Sequence, residues 1–287
     1  MHSILLTFDL EYWFESASTQ KYLFGDEQDK IENFCDDLLK LLRENNSSAT
    51  FFVTKKVLAN ESEIIKKIFN NGNEIAVHSI DHKQLWLKNQ EIFNKEIKEM
   101  ANQIETLTGK QPIGHRAVNF SLNEKTVWSL GVLKNNNFKY DSSIFPCKFP
   151  SFLKLIFGKN VYGSNINLYK PYKIDFENLN ENTGSNLWEL PISVFHAGKI
   201  KLPLTGGIYI RMIPWFIFKF LLNLKLKKEL SCIHFHPFDF TEKKPDIKMP
   251  IFKKFIKYYN TKNTWKKLEY IVKKFDCISI EKYLYNI

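Results

Sequence analysis

Short runs rich in β-branched and aromatic residues recur along this chain, near residues 3–9, 49–54, 73–78, 113–117, 137–141, 188–194, 231–236 and 276–280. Between most of them lie stretches whose apolar residues repeat at spacings of three and four: 27–45, 61–70, 88–108, 123–135, 214–227 and 263–274. In the first of these, Ile31, Phe34, Cys35, Leu38, Leu41 and Leu42 mark one helical face. Strands that alternate with helices are joined by crossovers, and a crossover returns the chain in the same direction. The pattern therefore implies an α/β fold with a mainly parallel sheet, open or rolled into a barrel. A barrel of this kind commonly needs about 250 residues in one core, so the 287 residues are expected to form one domain over 1–287. The rhythm fails over about 142–187, where Pro146, Pro150, Pro171 and several Gly and Asn leave no sustained period. A long irregular excursion is expected there, helping to shape a substrate groove.

Hydrophobic residues make up 44% of the chain and aromatics 15%, which excludes a disordered polypeptide. The formal charge of +10 comes almost wholly from Lys dispersed among Asn and Ile. With no dense basic block interleaved with aromatics, no nucleic-acid partner is expected. Arginine occurs only as Arg43, Arg116 and Arg211, and a Lys-rich chain keeps Arg chiefly where its planar fork of donors matters. Cys35, Cys147, Cys232 and Cys277 form no CxxC pair and are read as reduced, buried thiols. The chain enters its first strand with no basic leader, which gives the expectation of a cytoplasmic protein. The greasiest segment, 212–222, contains Lys219 and is too short to span a bilayer. It is read as a core-facing helix begun by Pro214, the alternative being peripheral contact with the inner face of the membrane or with a partner enzyme.

Four short segments carry the chemistry. In Thr7-Phe8-Asp9-Leu10-Glu11 the two acids alternate with Leu10, so both carboxylates point to one face of the strand end. Their repulsion raises one pKa unless a cation lies between or beside them, which marks a metal or acid–base site; the bland alternative is a strand end exposing polar groups to water. In His78-Ser79-Ile80-Asp81-His82, two imidazoles four apart meet one ion if the segment turns helical. Two His and one carboxylate with open positions suit a hydrolytic metal, although the spacing alone also fits surface decoration. Arg116, after another strand, could hold Asp9 ionised or form a surface ion pair. His234 and His236 face one way on a strand that Pro237 ends, and at least one of them is read as a satisfied structural histidine. In addition, Gly206-Gly207 before Tyr209 and Arg211 lets backbone approach a ligand and then presents an aromatic and a guanidinium. Arg211 is expected to hold a charged part of the substrate, a uronate or a diphosphate, or else to form a fold-stabilising ion pair.

Together these segments resemble the polysaccharide deacetylase (NodB-homology) superfamily, in particular its branch associated with bacterial exopolysaccharide and lipopolysaccharide gene clusters. The resemblance adds Arg116-Ala117-Val118-Asn119-Phe120-Ser121, Tyr140-Asp141-Ser142-Ser143, Glu189-Leu190-Pro191 and His236-Pro237, and runs in order over about residues 3–240. It implies a distorted, incomplete (β/α)7 barrel and hydrolysis of an N-acetyl group from an amino sugar that is nucleotide-linked, lipid-linked or part of an oligosaccharide. By the resemblance, Asp9 is the catalytic base and Glu11, His78 and His82 hold one divalent cation, zinc foremost, with cobalt, nickel or manganese acceptable. Arg116 orients the base, His236 protonates the leaving amine, and Asp141 is the acid expected to tune His236. Ser79, Phe120, Gly207, Tyr209 and Arg211 are expected around the substrate, with Ser79 bracing its loop. The chain departs from the family pattern in having Asp-x-Glu instead of adjacent aspartates, Val118 instead of Pro, and Phe238-Asp239 where Trp and Glu are more usual. Two other readings remain: an amidohydrolase acting on a small cyclic amide or ureide, and an inactive carbohydrate-binding protein.

Overall fold

The computed structural model describes residues 3–20, 22–23, 31–147, 166–197, 200–227, 229–241 and 248–287. Eleven strands are present among them: β1 (Ile4–Leu10), β2 (Thr50–Thr54), β3 (Glu74–Ser79), β4 (Gly114–His115), β5 (Tyr140–Asp141), β6 (Tyr172–Lys173), β7 (Trp188–Glu189), β8 (Val194–Ala197), β9 (Ile200–Pro203), β10 (Ser231–Phe235) and β11 (Cys277–Ile278). The main sheet runs β10-β1-β2-β3-β4-β5-β7-β6, with β11 also paired to β1. All neighbours are parallel except β6 and β7, so β10, β1, β2, β3, β4, β5 and β7 form a seven-strand parallel wall. Its free edges are joined through one serine: Ser193 N–H donates to the Cys232 carbonyl (3.0 Å) and Cys232 N–H to Ser193 Oγ (2.7 Å). The wall is thus a curled, incompletely paired (β/α)7 barrel, as the sequence implied. β8 and β9 form a separate hairpin.

The alternation within β1 explains why a fully buried strand has two kinds of residue. Ile4, Leu6, Phe8 and Leu10 join the apolar layer under the surrounding helices, whereas Leu5 packs with Phe52, Ala76, Tyr140 and Cys232 inside the wall. Thr7, Asp9 and Glu11 continue that inner face. Each of the eight β-rich runs contains a strand, and the six helical stretches contain the helices Glu32–Glu44, Ser62–Asn70, Gln90–Thr108, Trp128–Asn135, Trp215–Leu226 and Thr264–Lys274. The longest, Gln90–Thr108, starts where Asn89 Oδ1 accepts from Ile92 N–H (2.8 Å) and stops at left-handed Gly109. Short helices at Lys55–Asn60, Gly207–Met212, Ile251–Tyr258 and Ile280–Tyr285 were not apparent in the pattern. Of the excursion at 142–187, residues 148–165 lie outside the described residues, and the remainder supplies the short strand β6. All four cysteines are buried and free.

Tyr140 fixes the narrow end of the barrel. A Cβ on Gly114 would fall inside its ring, so only glycine fits there. The Tyr140 hydroxyl donates to Glu74 Oε1 (2.7 Å), while Glu74 Oε2 accepts from Thr50 Oγ1 (2.6 Å) and Glu281 N–H (2.8 Å). Burial pushes the Glu74 carboxyl up to about 7 even against these bonds. The folded state therefore keeps a proton that the unfolded chain has released above its ordinary value near 4.5. Stability attributable to this group is whole below pH 4.5 and falls as pH rises to 7, by on the order of 3 kcal/mol. Urea unfolding of the wild type and Glu74→Gln at pH 5 and pH 7 checks this: the wild type should lose stability relative to the variant across that interval.

Candidate functional site

The site lies where the inner faces of β1, β3 and β10 reach the open end of the barrel. Asp9 and Glu11 project from the end of β1, His78 from β3, and His236 from just after β10. Arg116, just after β4, is completely buried between them. Its Nη1 donates to Asp9 Oδ1 (2.6 Å) and Thr7 Oγ1 (2.9 Å), its Nε to the Ser142 carbonyl (3.1 Å) and its Nη2 to Ser142 Oγ (2.9 Å). The guanidinium lies 4.0 Å from the Phe52 ring centroid. Burial alone would raise the Asp9 carboxyl, but the Arg116 charge and the imidazoles around it outweigh this and hold it at about 2. Asp9 is therefore an anion throughout the physiological range, with Oδ1 committed to Arg116 and Oδ2 turned towards His236 Nε2 at 3.8 Å.

Glu11, His78 and His82 bring one oxygen and two ring nitrogens within 4.8 Å of one another. His78 Nε2 is 3.5 Å from Glu11 Oε2, and His82 Nε2 touches the same oxygen. His78 Nδ1 lies 2.8 Å from the Arg116 carbonyl, which can only accept; the proton is therefore on Nδ1 and, in the neutral ring, the Nε2 lone pair faces Glu11. Glu11 Oε2 is buried and receives no well-formed hydrogen bond, although both imidazole nitrogens approach it. Two imidazole nitrogens converging on one buried carboxylate oxygen fit a divalent cation. The surrounding imidazoles hold the Glu11 carboxyl well below its usual range although burial opposes this. The two histidines do not meet through a helical turn, as the spacing suggested. β3 ends at Ser79, the chain turns, and His82 takes a left-handed conformation with φ 51°. Ser79 Oγ accepts from His82 N–H (3.0 Å) and fixes that turn, so Ser79 braces a histidine and does not line the pocket.

The pocket, about 220 Å³, is lined by Asp9, Glu11, His78, His82, Asn119, Phe120, Phe145, Gly206, Gly207, Ile208, Tyr209, His234 and His236. Among the described residues, the only side chains other than Asn with a left-handed backbone are His82 and Phe120, and both line it; Asn119 beside Phe120 is left-handed too. Such backbone is costly and tends to gather where a site over-determines it. Gly206, with φ 81°, is required because a Cβ there would collide with the His234 ring. His234 is the structural member of its pair. It is deeply buried beside Thr205 Oγ1, and burial lowers its imidazole to about 3, which keeps it neutral.

Two expected roles are corrected. Asp141 does not tune His236: its Oδ1 meets His115 Nδ1 (2.7 Å) and accepts from Ser143 Oγ (2.8 Å). Its Oδ2 and Glu189 Oε2 lack donors, and burial next to Asp141 raises Glu189 well above the carboxylate range, so one proton on Glu189 serves both acids. The acid on His236 is Asp239, three residues later. Asp239 Oδ2 accepts from His236 N–H (2.9 Å) and lies 3.2 Å from His236 Nδ1, while Phe238 stacks on the imidazole at 4.6 Å. Burial would lower His236, but the bond to Asp239 and the nearby carboxylates raise it to about 9. An Asp three positions after an N-cap His-Pro, readable as a capping box, was the signal available in the sequence. Arg211 likewise does not face a ligand. Its side chain is 3% exposed, with Nη1 donating to the Lys257 (2.7 Å) and Tyr259 (3.0 Å) carbonyls, Nε to the Gly207 carbonyl (3.1 Å), and an ion pair to Asp239 at 3.5 Å. It is the fold-stabilising alternative, because its donors are used by its own chain.

Comparisons with known proteins bear on the family and the fold. Residues 1–139 match the polysaccharide deacetylase family and residues 156–285 a domain of unknown function (DUF3473). Over residues 1–139 the chain is thus similar to polysaccharide deacetylases. A curated relative is the peptidoglycan-N-acetylmuramic acid deacetylase PdaA of Bacillus subtilis (strain 168), 26% identical over 112 residues, 39% of this chain. The match spans 42% of that relative, less than half its length. A Mycobacterium smegmatis protein whose crystal structure carries the polysaccharide deacetylase name shares the fold, with a TM-score of 0.59 and 17% identity over 90% of this chain and 77% of that one. A family 4 carbohydrate esterase pseudoenzyme from Bacillus anthracis aligns over 99% of this chain and 66% of its own with 10% identity and a TM-score of 0.49.

Replacing Arg211 tests its corrected role. Arg211→Gln removes one of the two cations that share Asp239 and leaves the Lys257 and Tyr259 carbonyls without their donor, a loss of about 3 kcal/mol. The thermal midpoint should fall by about 5 °C, while KM for an acetylated sugar stays unchanged, as read by calorimetry and steady-state kinetics.

Proposed function

We propose that the chain is a metal-dependent carbohydrate N-deacetylase, acting on an N-acetylated amino sugar of a bacterial surface glycan or its precursor. The observation that carries this reading is the convergence of Glu11, His78 and His82 on one point beside an Asp9 carboxylate held by Arg116. Glu11 and the two imidazole Nε2 atoms would hold the cation, zinc being the metal that best suits two nitrogens and a carboxylate. When bound, the ion supplies a Lewis acid for the amide carbonyl and lowers the pKa of water, which lets a carboxylate as acidic as Asp9 accept a proton.

The remaining work falls to the chain's own side chains. Asp9 takes the proton at Oδ2, the oxygen not engaged by Arg116. His236 Nε2, 3.8 Å from that oxygen and 4.0 Å from Glu11 Oε1, delivers a proton to the departing nitrogen. An amide anion cannot leave at neutral pH, so an acid is needed, and Asp239 favours the charged imidazole while fixing the ring's orientation. Phe120 and Tyr209 offer flat apolar faces to a sugar ring, and Gly207 lets backbone approach it.

Acetate release from a panel of nucleotide-linked, lipid-linked and polymeric N-acetyl sugars, with cyclic imides alongside and with or without chelator, tests the reading. Chelator-sensitive release from one sugar class is expected; turnover of imides alone would favour the cyclic-amide alternative. Asp9→Asn should lower kcat by about 10²- to 10⁴-fold and leave metal content intact. Glu11→Ala and His82→Ala should lower the metal stoichiometry measured by elemental analysis. An Asp9→Asn enzyme with undiminished turnover would refute the base assignment, and unchanged metal in the other two the ligand set.

A further inference from the structure

Two helices beside the pocket present an apolar surface that the described part of the chain leaves uncovered. On Trp215–Leu226 the inner face buries Phe218, Leu221, Leu222 and Leu226, yet the opposite face carries Phe216 (72% exposed) and Phe220 (63%), four residues apart, with Met212 (53%) just before it. A core-facing helix accounts for the first set and not for the second. On Ile251–Tyr258, Ile251 (87%) and Phe255 (57%) share a face with half-exposed Phe252, and the Tyr259 ring lies tilted against Phe255 at 5.0 Å. The ends of the two helices meet in a groove of about 380 Å³ lined by Met212, Pro214, Trp215, Tyr259 and Lys266. The exposed apolar residues are thus gathered at adjoining elements and not scattered singly.

The charge around this surface has one sign. Residues 212–227 contain three lysines and 248–267 contain seven, with no Asp or Glu in either stretch. Lys227, Lys248, Lys253, Lys262 and Lys266 are exposed. We infer that this face docks on an anionic membrane surface, with Phe216, Phe220, Ile251 and Phe255 entering the interface and the lysines meeting lipid headgroups. Large apolar side chains within a Lys rim fit an interfacial helix pair, and neither helix is long or apolar enough to cross a bilayer. A second copy of the chain fits poorly, because a twofold contact would set the lysine rim against itself. The face adjoins the pocket: Lys257 of the second helix lies 5.0 Å from the Phe238 ring centroid, and Phe238 stacks on His236. Docking would therefore hold the pocket's rim close to the bilayer.

Co-sedimentation of the full chain with vesicles tests this without any assay of activity. The protein should pellet with vesicles of phosphatidylcholine and phosphatidylglycerol and not with phosphatidylcholine alone, and binding should weaken at least tenfold between low and high salt. Phe216→Ser/Phe220→Ser and Ile251→Ser/Phe255→Ser should each lower the partition coefficient at least tenfold with unchanged circular dichroism and melting. Equal binding to neutral vesicles, or binding indifferent to both double variants, would overturn the assignment. So would failure to bind either vesicle; a concentration-dependent dimer abolished by the same substitutions, seen by light scattering, would reassign the face to self-association, and capture of an acidic protein without vesicle binding would reassign it to that partner.

Discussion

A guanidinium with no exposure to water sits inside the barrel, and the geometry of the site follows from what it must satisfy. Arg116 distributes its donors over Thr7 and Asp9 of β1 and over Ser142 just after β5, and rests on Phe52 of β2. A buried charge of this kind is tolerable only when an opposite charge and a full set of acceptors surround it. Asp9 supplies the charge and is locked in its ionised form as a result. The Arg116 carbonyl also receives His78 Nδ1–H, so the same residue fixes which nitrogen of His78 is left facing Glu11. Asp9 and His78 are thereby set in register by one side chain and its own peptide group.

Around this centre, pairs of buried ionisable groups are kept apart by distinct partners. Asp239 is shared between Arg211 and His236, so the ordering of a helix end and the orientation of the imidazole are one arrangement. Asp141 and Glu189 settle their repulsion with a proton, and His115 completes that group on the other side. His234 stays neutral in the wall under Gly206. Three carboxylates and three histidines thus lie close together, each with its own nearest partner.

Much of this was legible in the sequence because it depends on period and order. The strand and helix runs could be read from alternation and from threes and fours, and the inward pair Asp9 and Glu11 from the two-residue repeat. What failed to show depended on contacts distant in sequence or on single turns. Helices as short as Gly207–Met212 have too few residues to display a period, so a ligand-holding Arg211 could not be told from a fold-stabilising one. Asp141 and Asp239 are equally plausible partners for His236 by composition; only the tight turn after Pro237 brings Asp239 back onto the ring. The left-handed turn at His82 is likewise invisible, since positive φ is a minority conformation even for His, where it is enriched.

The barrel wall is uneven, and the unevenness has a direction. β10, β1, β2 and β3 are held by ladders of five, four and five residue pairs, whereas the ladders joining β3, β4, β5 and β7 have one, two and two, and the circle closes through Ser193. Thermal motion should part the thin arc first, much as a cuff opens along its button line. Asp9, Glu11 and His78 stand on the thick arc, so a breath of that seam can widen the mouth of the pocket while the spacing among these three side chains stays as it was.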